Sequence, residues 1–320
     1  METAVSRAID SVDRDTGRSV RRALSLARMF TSDGYQSALL DQFAAVLADG
    51  KSVYYRLVRE LVDQVNAETL KTFSVNLAYG GWSNGSRVLR ERGAALGCAL
   101  PWIITIDQGA EKSPALTRRL VDEAYRLGIV CFILQWDQGL VQPDLALLRE
   151  RQDCAFLLMG DISALPDTAL ADVNACHNAM FAIPRKAESF AADCARLSRL
   201  GCLFGLYHVV PEQGDICGLS DEAQQYLCAQ GCHLLILRDE QCPPRIRAAL
   251  RAQVQQLRYH LRHPLGVFHV ASDVAEVNRV ISGLDCSVHV SQSGRLGGYD
   301  LRGKPLAAVL QALFPLPQRS

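Results

Sequence analysis

The chain has 320 residues, 34 of them Lys or Arg and 34 Asp or Glu, with 49% hydrophobic and 21% charged residues. That make-up suits a packed globular fold and excludes a disordered chain, and formal neutrality gives no general electrostatic pull toward nucleic acid. No apolar run approaches the ~20 residues that span a bilayer, and Met1-Glu2-Thr3 lacks the basic-then-apolar order of a signal peptide. A cytoplasmic protein with neither a nucleic-acid nor a membrane partner is therefore expected.

Residues 1–95 read as a helical N-terminal region packing on the main body. Breaks fall near Ser32-Asp33-Gly34 and Asp49-Gly50, and Tyr54, Leu57, Leu61, Val62 and Val65 form one apolar stripe. Residues 96–283 repeat a unit of amphipathic helix, glycine and apolar run. In the first instance Ser113 caps a helix with Pro114 in its first turn, and Leu116, Leu120, Val121, Ala124 and Leu127 mark its inner face. Gly128 then ends the helix in the left-handed cap position, and Ile129–Leu134 follows as a buried strand.

The same pattern runs through Phe190, Cys194 and Leu197 to Gly201 and the strand Cys202–Val209. It returns from Ser220 and Leu227 to Gly231 and His233–Leu237. Further strand-length runs are Trp102–Ile106, Cys154–Met159, Ala179–Ile183 and Gly266–Val270. Strands apolar on both faces and alternating with helices imply a parallel sheet covered by helices. Seven of them favour a closed or partly closed barrel; an open doubly wound sheet has the same periodicity. Residues 284–320 form a C-terminal extension, in which Ser287–Val290 and Arg295–Tyr299 flank Gly294 as a hairpin and Leu306–Leu313 makes a helix.

In parallel α/β folds ligands collect beyond the carboxyl ends of the strands. The residues there form a polar ring of candidate ligand contacts: Asp107, Gln135, Trp136, Asp137, Gln138, His208, Glu212, Arg238 and His269. Asp107, Asp137, His208 and Glu212 are the acid/base candidates within it. Cys228-Ala229-Gln230-Gly231-Cys232-His233 is the densest soft-ligand stretch, but its CxxxC spacing matches neither a zinc knuckle nor a haem attachment site, and no metal site is assigned. Of the eleven cysteines, Cys131 lies inside an apolar run, while Cys154, Cys202, Cys232 and Cys286 open others, as buried free thiols do. No serine or cysteine nucleophile can be tied to a histidine, and Gly294-Arg295-Leu296-Gly297-Gly298 lacks the following helix of a phosphate loop.

Three stretches resemble one family, the radical S-adenosylmethionine (SAM) Fe–S oxidoreductases with a helical N-terminal region. The segment from Tyr54-Tyr55 through Lys71-Thr72-Phe73 to Val75-Asn76-Leu77 resembles their helical lead-in. Gly97-Cys98-Ala99-Leu100-Pro101-Trp102, running into Ile103–Asp107, resembles the entry to their first barrel strand. The region from Asp285 to Leu313-Phe314 resembles their ending, and the likeness extends over nearly the whole length from about residue 50. It implies a partial (β/α) barrel.

In working members of that family a CxxxCxxC loop after the first strand holds a [4Fe–4S] cluster with one iron left open for SAM. Here Asp107-Gln108-Gly109-Ala110-Glu111-Lys112 runs straight into the next helix. Trp136-Asp137-Gln138-Gly139 stands where relatives carry a Gly-Gly-Glu-Pro-like SAM-amine contact, and Gly297-Gly298 where some carry a further cysteine. The resemblance thus implies a degenerate member without cluster or SAM and without radical catalysis. Such a protein would serve as a binding or accessory subunit for an active enzyme, a peptide substrate or a small polar ligand. The alternatives are cluster-independent chemistry in the barrel mouth and small-ligand binding alone.

Overall fold

A computed structural model describes residues 52–109, 114–136, 142–185, 188–212, 220–240 and 242–317, together with positions 17, 44 and 47. The elements run α1 (Val53–Gln64), α2 (Ala67–Val75), a π-helix (Asn76–Ser83), α3 (Asn84–Leu96), β1 (Ile103–Asp107), α4 (Pro114–Arg126), β2 (Cys131–Trp136) and α5 (Leu145–Glu150). They continue with β3 (Ala155–Gly160), α6 (Asp167–Asn174), β4 (Ala179–Pro184), α7 (Phe190–Arg199), β5 (Phe204–Val209), α8 (Asp221–Ala229), β6 (Leu234–Arg238) and α9 (Pro244–Tyr259). The last are β7 (Gly266–His269), α10 (Val270–Ser282), β8 (Val288–Val290), β9 (Arg295–Leu296), β10 (Tyr299–Asp300) and α11 (Leu306–Leu313). The expected α/β class is what the chain adopts.

The chain divides into two compact units that alternate along the sequence. Of the described residues, the first holds those up to 71 and from 180 to 273, the second those from 72 to 179 and from 274 to 317. In the first, β4, β5, β6 and β7 pair side by side, all parallel. In the second the order is β3, β2, β1, β8, again all parallel. In the first unit every successive strand is a neighbour, and so are β1, β2 and β3 in the second, the winding of a (β/α) barrel; β8 joins the remaining edge of β1.

The helix–glycine–strand unit forms as its sequence dictates. Gly128, Gly201 and Gly231 follow helices with φ of 90°, 63° and 77°, the left-handed region where a Cβ is penalised. Ser220 caps α8, its side chain accepting from Ala223 N–H at 3.2 Å. All six residues of β2 and of β3 are buried, because a parallel strand inside a sheet has no solvent face. The seven expected strands all form. Several end on a residue with a polar side chain, such as Asp107 and Arg238, since ladder hydrogen bonding depends on the backbone alone.

Other expectations shift. Helices run over 53–64 and 67–96, while residues 1–51 lie outside the described set apart from positions 17, 44 and 47, as does Ser113. Tyr55, not Tyr54, is the buried ring of α1, and its hydroxyl donates to the Leu47 carbonyl at 2.5 Å. Residues 288–290 are no hairpin arm: β8 pairs parallel with β1, with His289 opposite Thr105. The hairpin is the smaller β9–β10 pair, turned by Gly297 and Gly298, both at positive φ. Val288-His289-Val290 alternates as a half-buried strand should, but alternation carries no information about the partner or its direction.

Candidate functional site

Asp107 is the last residue of β1 and stands in register with Gln135 of β2, while His289 of β8 stands opposite Thr105. Paired residues in parallel strands point to one face, and so do residues two apart, so Asp107, Gln135 and His289 share a face of the second unit's sheet. They form a closed trio there. Gln135 Nε2 donates to Asp107 Oδ1 at 2.5 Å, His289 Nε2 lies 2.6 Å from the same oxygen, and the Gln135 and His289 nitrogens are 3.3 Å apart.

Gln135 is buried, whereas the His289 side chain is 45% exposed and that of Asp107 25%. A solvent-facing imidazole is thus held by a carboxylate that is itself fixed by a buried amide. Thr117 of α4 adds a polar contact alongside, donating to Gln108 Oε1 at 3.1 Å. The arrangement can orient an imidazole, offer it for proton transfer and hydrogen-bond a polar ligand.

Trp136 follows Gln135 but leaves the trio. Its ring is 2% exposed and lies over the backbone of Gly160, so close that a Cβ there would come within 2.2 Å of the indole; Nε1 donates to the Asp161 carbonyl at 3.0 Å. Gly160 is the residue that admits the ring. Asp137 and Gln138, the other two ring candidates on this loop, lie outside the described residues.

The remaining candidates belong to the first unit. His208 of β5 and His269 of β7 are both in register with Leu237, so they share a face. Arg238, one residue on, takes the opposite face: its guanidinium reaches Glu240 Oε1 at 2.9 Å and sits 5.7 Å from the Tyr207 ring centroid. The sequence ring therefore does not gather Arg238 with the two histidines. Glu212 is exposed in the turn after β5. His269 is buried beside Asp239, and its Nδ1 lies 2.6 Å from Ser272 Oγ.

Sequence reasoning missed His289 and Ser272. His289 carries the one exposed side chain in an alternating triplet, and Ser272 stands three residues after His269, a spacing that signifies contact only once a helix is known to begin at Val270.

The soft ligands go elsewhere. Cys232 Sγ faces Cys194 Sγ at 3.8 Å, and His233 Nε2 lies 3.2 Å from Gln64 Oε1. Hydrogen bonding to Cys194 and burial raise the Cys232 thiol, while burial pushes Cys131, Cys202 and Cys286 up to about 12 and His233 down to about 4. Among the described residues no group of three His, Cys, Asp or Glu is placed to hold a metal ion. The stretch after Asp107 offers amide, carboxylate and amine side chains and no thiolate, so this donor set does not fit a [4Fe–4S] cluster.

No family model matches the chain, and no curated protein does. Among solved structures it is similar to a 4-hydroxy-2-oxoglutarate aldolase/2-deydro-3-deoxyphosphogluconate aldolase from TTHB1, at 12% identity and a TM-score of 0.29, over 62% of this chain and 94% of that one. It is also similar to the carboxyl transferase domain of Rhizobium etli pyruvate carboxylase with pyruvate, at 14% identity and a TM-score of 0.35, over 70% of this chain and 46% of that one. Neither likeness bears on what this chain does.

Proposed function

We propose that the chain is a cluster-less, radical-SAM-like binding protein that takes a small polar ligand at the Asp107–His289–Gln135 trio, on its own or as an accessory to an active enzyme or its peptide substrate. The observation that carries this reading is the closed contact of Asp107 Oδ1 with both Gln135 and His289 at the end of β1. A cluster-bearing relative needs a thiolate loop to leave that point. Here the strand ends in a hydrogen-bonded carboxylate, and the exposed edge of His289 is left to meet a carboxylate or hydroxyl on a ligand.

Anaerobic reconstitution with iron and sulfide, followed by iron analysis and an assay for SAM cleavage, tests it. The expected result is sub-stoichiometric iron and intact SAM; four irons per chain with SAM turnover would refute the reading. Among the described residues no helix is long and apolar enough to cross a membrane; the setting we propose is the cytoplasm.

The same dyad favours a second reading, cluster-independent proton transfer with Asp107 orienting His289. Solvent-deuterium exchange at C3 of 2-oxobutyrate, the carbon beside its ketone, followed by proton NMR with and without His289→Gln, separates the two. Exchange that needs His289 favours catalysis; none favours binding alone.

A further inference from the structure

The junction of β7 and α10 in the first unit sets three side chains in series. Ser272 Oγ lies 2.6 Å from His269 Nδ1, and His269 Nε2 lies 3.1 Å from Asp239 Oδ2. The His269 and Asp239 side chains are 1% and 3% exposed, and among the described residues neither facing atom has a hydrogen-bond partner, their own approach included. Ser272 is half-buried and its neighbour Ala271 is exposed, so the series runs from the interior to the surface.

The chemistry of the series is directional. A carboxylate facing Nε2 favours the tautomer with its proton there, which leaves Nδ1 as an acceptor for the Ser272 hydroxyl. That is the relation of nucleophile, base and orienting acid. Asp273, not Ser272, serves the backbone at this junction, its Oδ2 accepting from His269 N–H at 2.8 Å, which leaves the Ser272 hydroxyl to the imidazole. Arg258 clamps the same junction: Nη1 donates to Asp273 Oδ1 at 3.1 Å, and Nε and Nη2 donate to the Val267 carbonyl at 3.0 and 2.8 Å. Arg247 Nε lies 3.9 Å from Asp239 Oδ2, and it too is held by backbone, donating to the Cys242 carbonyl at 2.9 Å. The series therefore stands on fixed elements, as a reactive constellation requires.

We infer that Ser272, His269 and Asp239 form a second site, within the first unit, that hydrolyses small carboxylic esters by acyl transfer through Ser272. Ser272 Oγ attacks the ester carbonyl while its proton passes to His269 Nδ1. The C–O bond to the alcohol breaks, and the leaving alkoxide takes that proton. Water then attacks the acyl-serine, giving a proton to His269 Nδ1, and the acyl–Oγ bond breaks as Ser272 recovers it; ester and water become acid and alcohol. The first-turn N–H groups of α10, which have no acceptors within their own helix, are the donors for the developing oxyanion. Asp239 is a positioning residue, acting through His269.

The full-length protein treated with an alkyl fluorophosphonate is expected to gain one adduct per chain, mapped by peptide mass spectrometry to Ser272. Hydrolysis of p-nitrophenyl acetate is expected to fall about 100-fold or more in Ser272→Ala and His269→Gln. Asp239→Asn is expected to slow it and displace its pH profile, which a purely structural role would not do. The wild-type labelling needs no variant to fold, and unchanged thermal midpoints qualify the variants. No adduct, an adduct on another residue, or unchanged hydrolysis in a folded Ser272→Ala would each overturn the inference.

Discussion

Replacing His233 with Gln should flatten one segment of the stability–pH curve. His233 precedes β6 and is 4% exposed; its ring meets that of Phe204 edge-on at 5.9 Å, and its Nε2 lies 3.2 Å from Gln64 Oε1. Burial is the main cause that pushes its pKa from 6.5 to about 4, opposed by the backbone at Phe204. Between these two values the unfolded chain binds a proton that the folded chain refuses, so stability falls as the pH falls. The contribution is fully present above pH 6.5 and lost progressively toward pH 4. At about 1.4 kcal/mol per pKa unit, a shift of roughly 2.5 units makes the loss about 3 kcal/mol. Glutamine keeps a polar head near Gln64 and cannot titrate. Urea unfolding of both proteins at pH 7.5, 6.5, 5.5 and 4.5 gives a difference in which the other titrating groups cancel. That difference should shrink by about 3 kcal/mol across the window; a difference independent of pH would refute the reasoning, as would an NMR titration of the ring near 6.5.

Gly160→Ala should drive its new methyl into the Trp136 indole, 2.2 Å away, and cost about 1–3 kcal/mol in urea unfolding, with a red shift in tryptophan emission as the ring is displaced. Unchanged stability and emission would mean that the ring does not rest on that backbone. Under native conditions at pH 8, iodoacetamide should leave Cys131, Cys202 and Cys286 unmodified, since burial both covers them and raises them to about 12. Half-buried Cys228 should react before them despite a pKa of about 11. Peptide mapping checks the order, and early alkylation of Cys131 in the folded protein would contradict it.

The repeating part of the fold was readable because the residues that make it act locally. Gly128, Gly201 and Gly231 end helices by their own backbone freedom, Ser220 caps by its own hydroxyl, and the apolar runs need only a sheet to enter. The candidate ring was readable in one dimension only. Strand ends could be located, which found Asp107, Gln135 and His269, but the face each side chain takes depends on register, which no single run encodes. Register is what separates Arg238 from His208 and His269 and brings His289 to Asp107 from 182 residues away. Trp136 shows a further limit: its hydrophobic body outweighed its place beside polar neighbours, and it went to the glycine that leaves it room.

The pairing of β8 with β1 also sets a schedule for synthesis. A chain growing from its N-terminus makes Asp107 and Gln135 early, yet β1 keeps one edge bare until residues 288–290 have left the ribosome. Contacts that span so much chain form slowly, because the intervening segment must first be closed into a loop. The imidazole of the trio is therefore the last of its members to arrive. A ribosome that stalls before it leaves a sheet with an open edge, a ready partner for other nascent strands, and a carboxylate still awaiting its histidine.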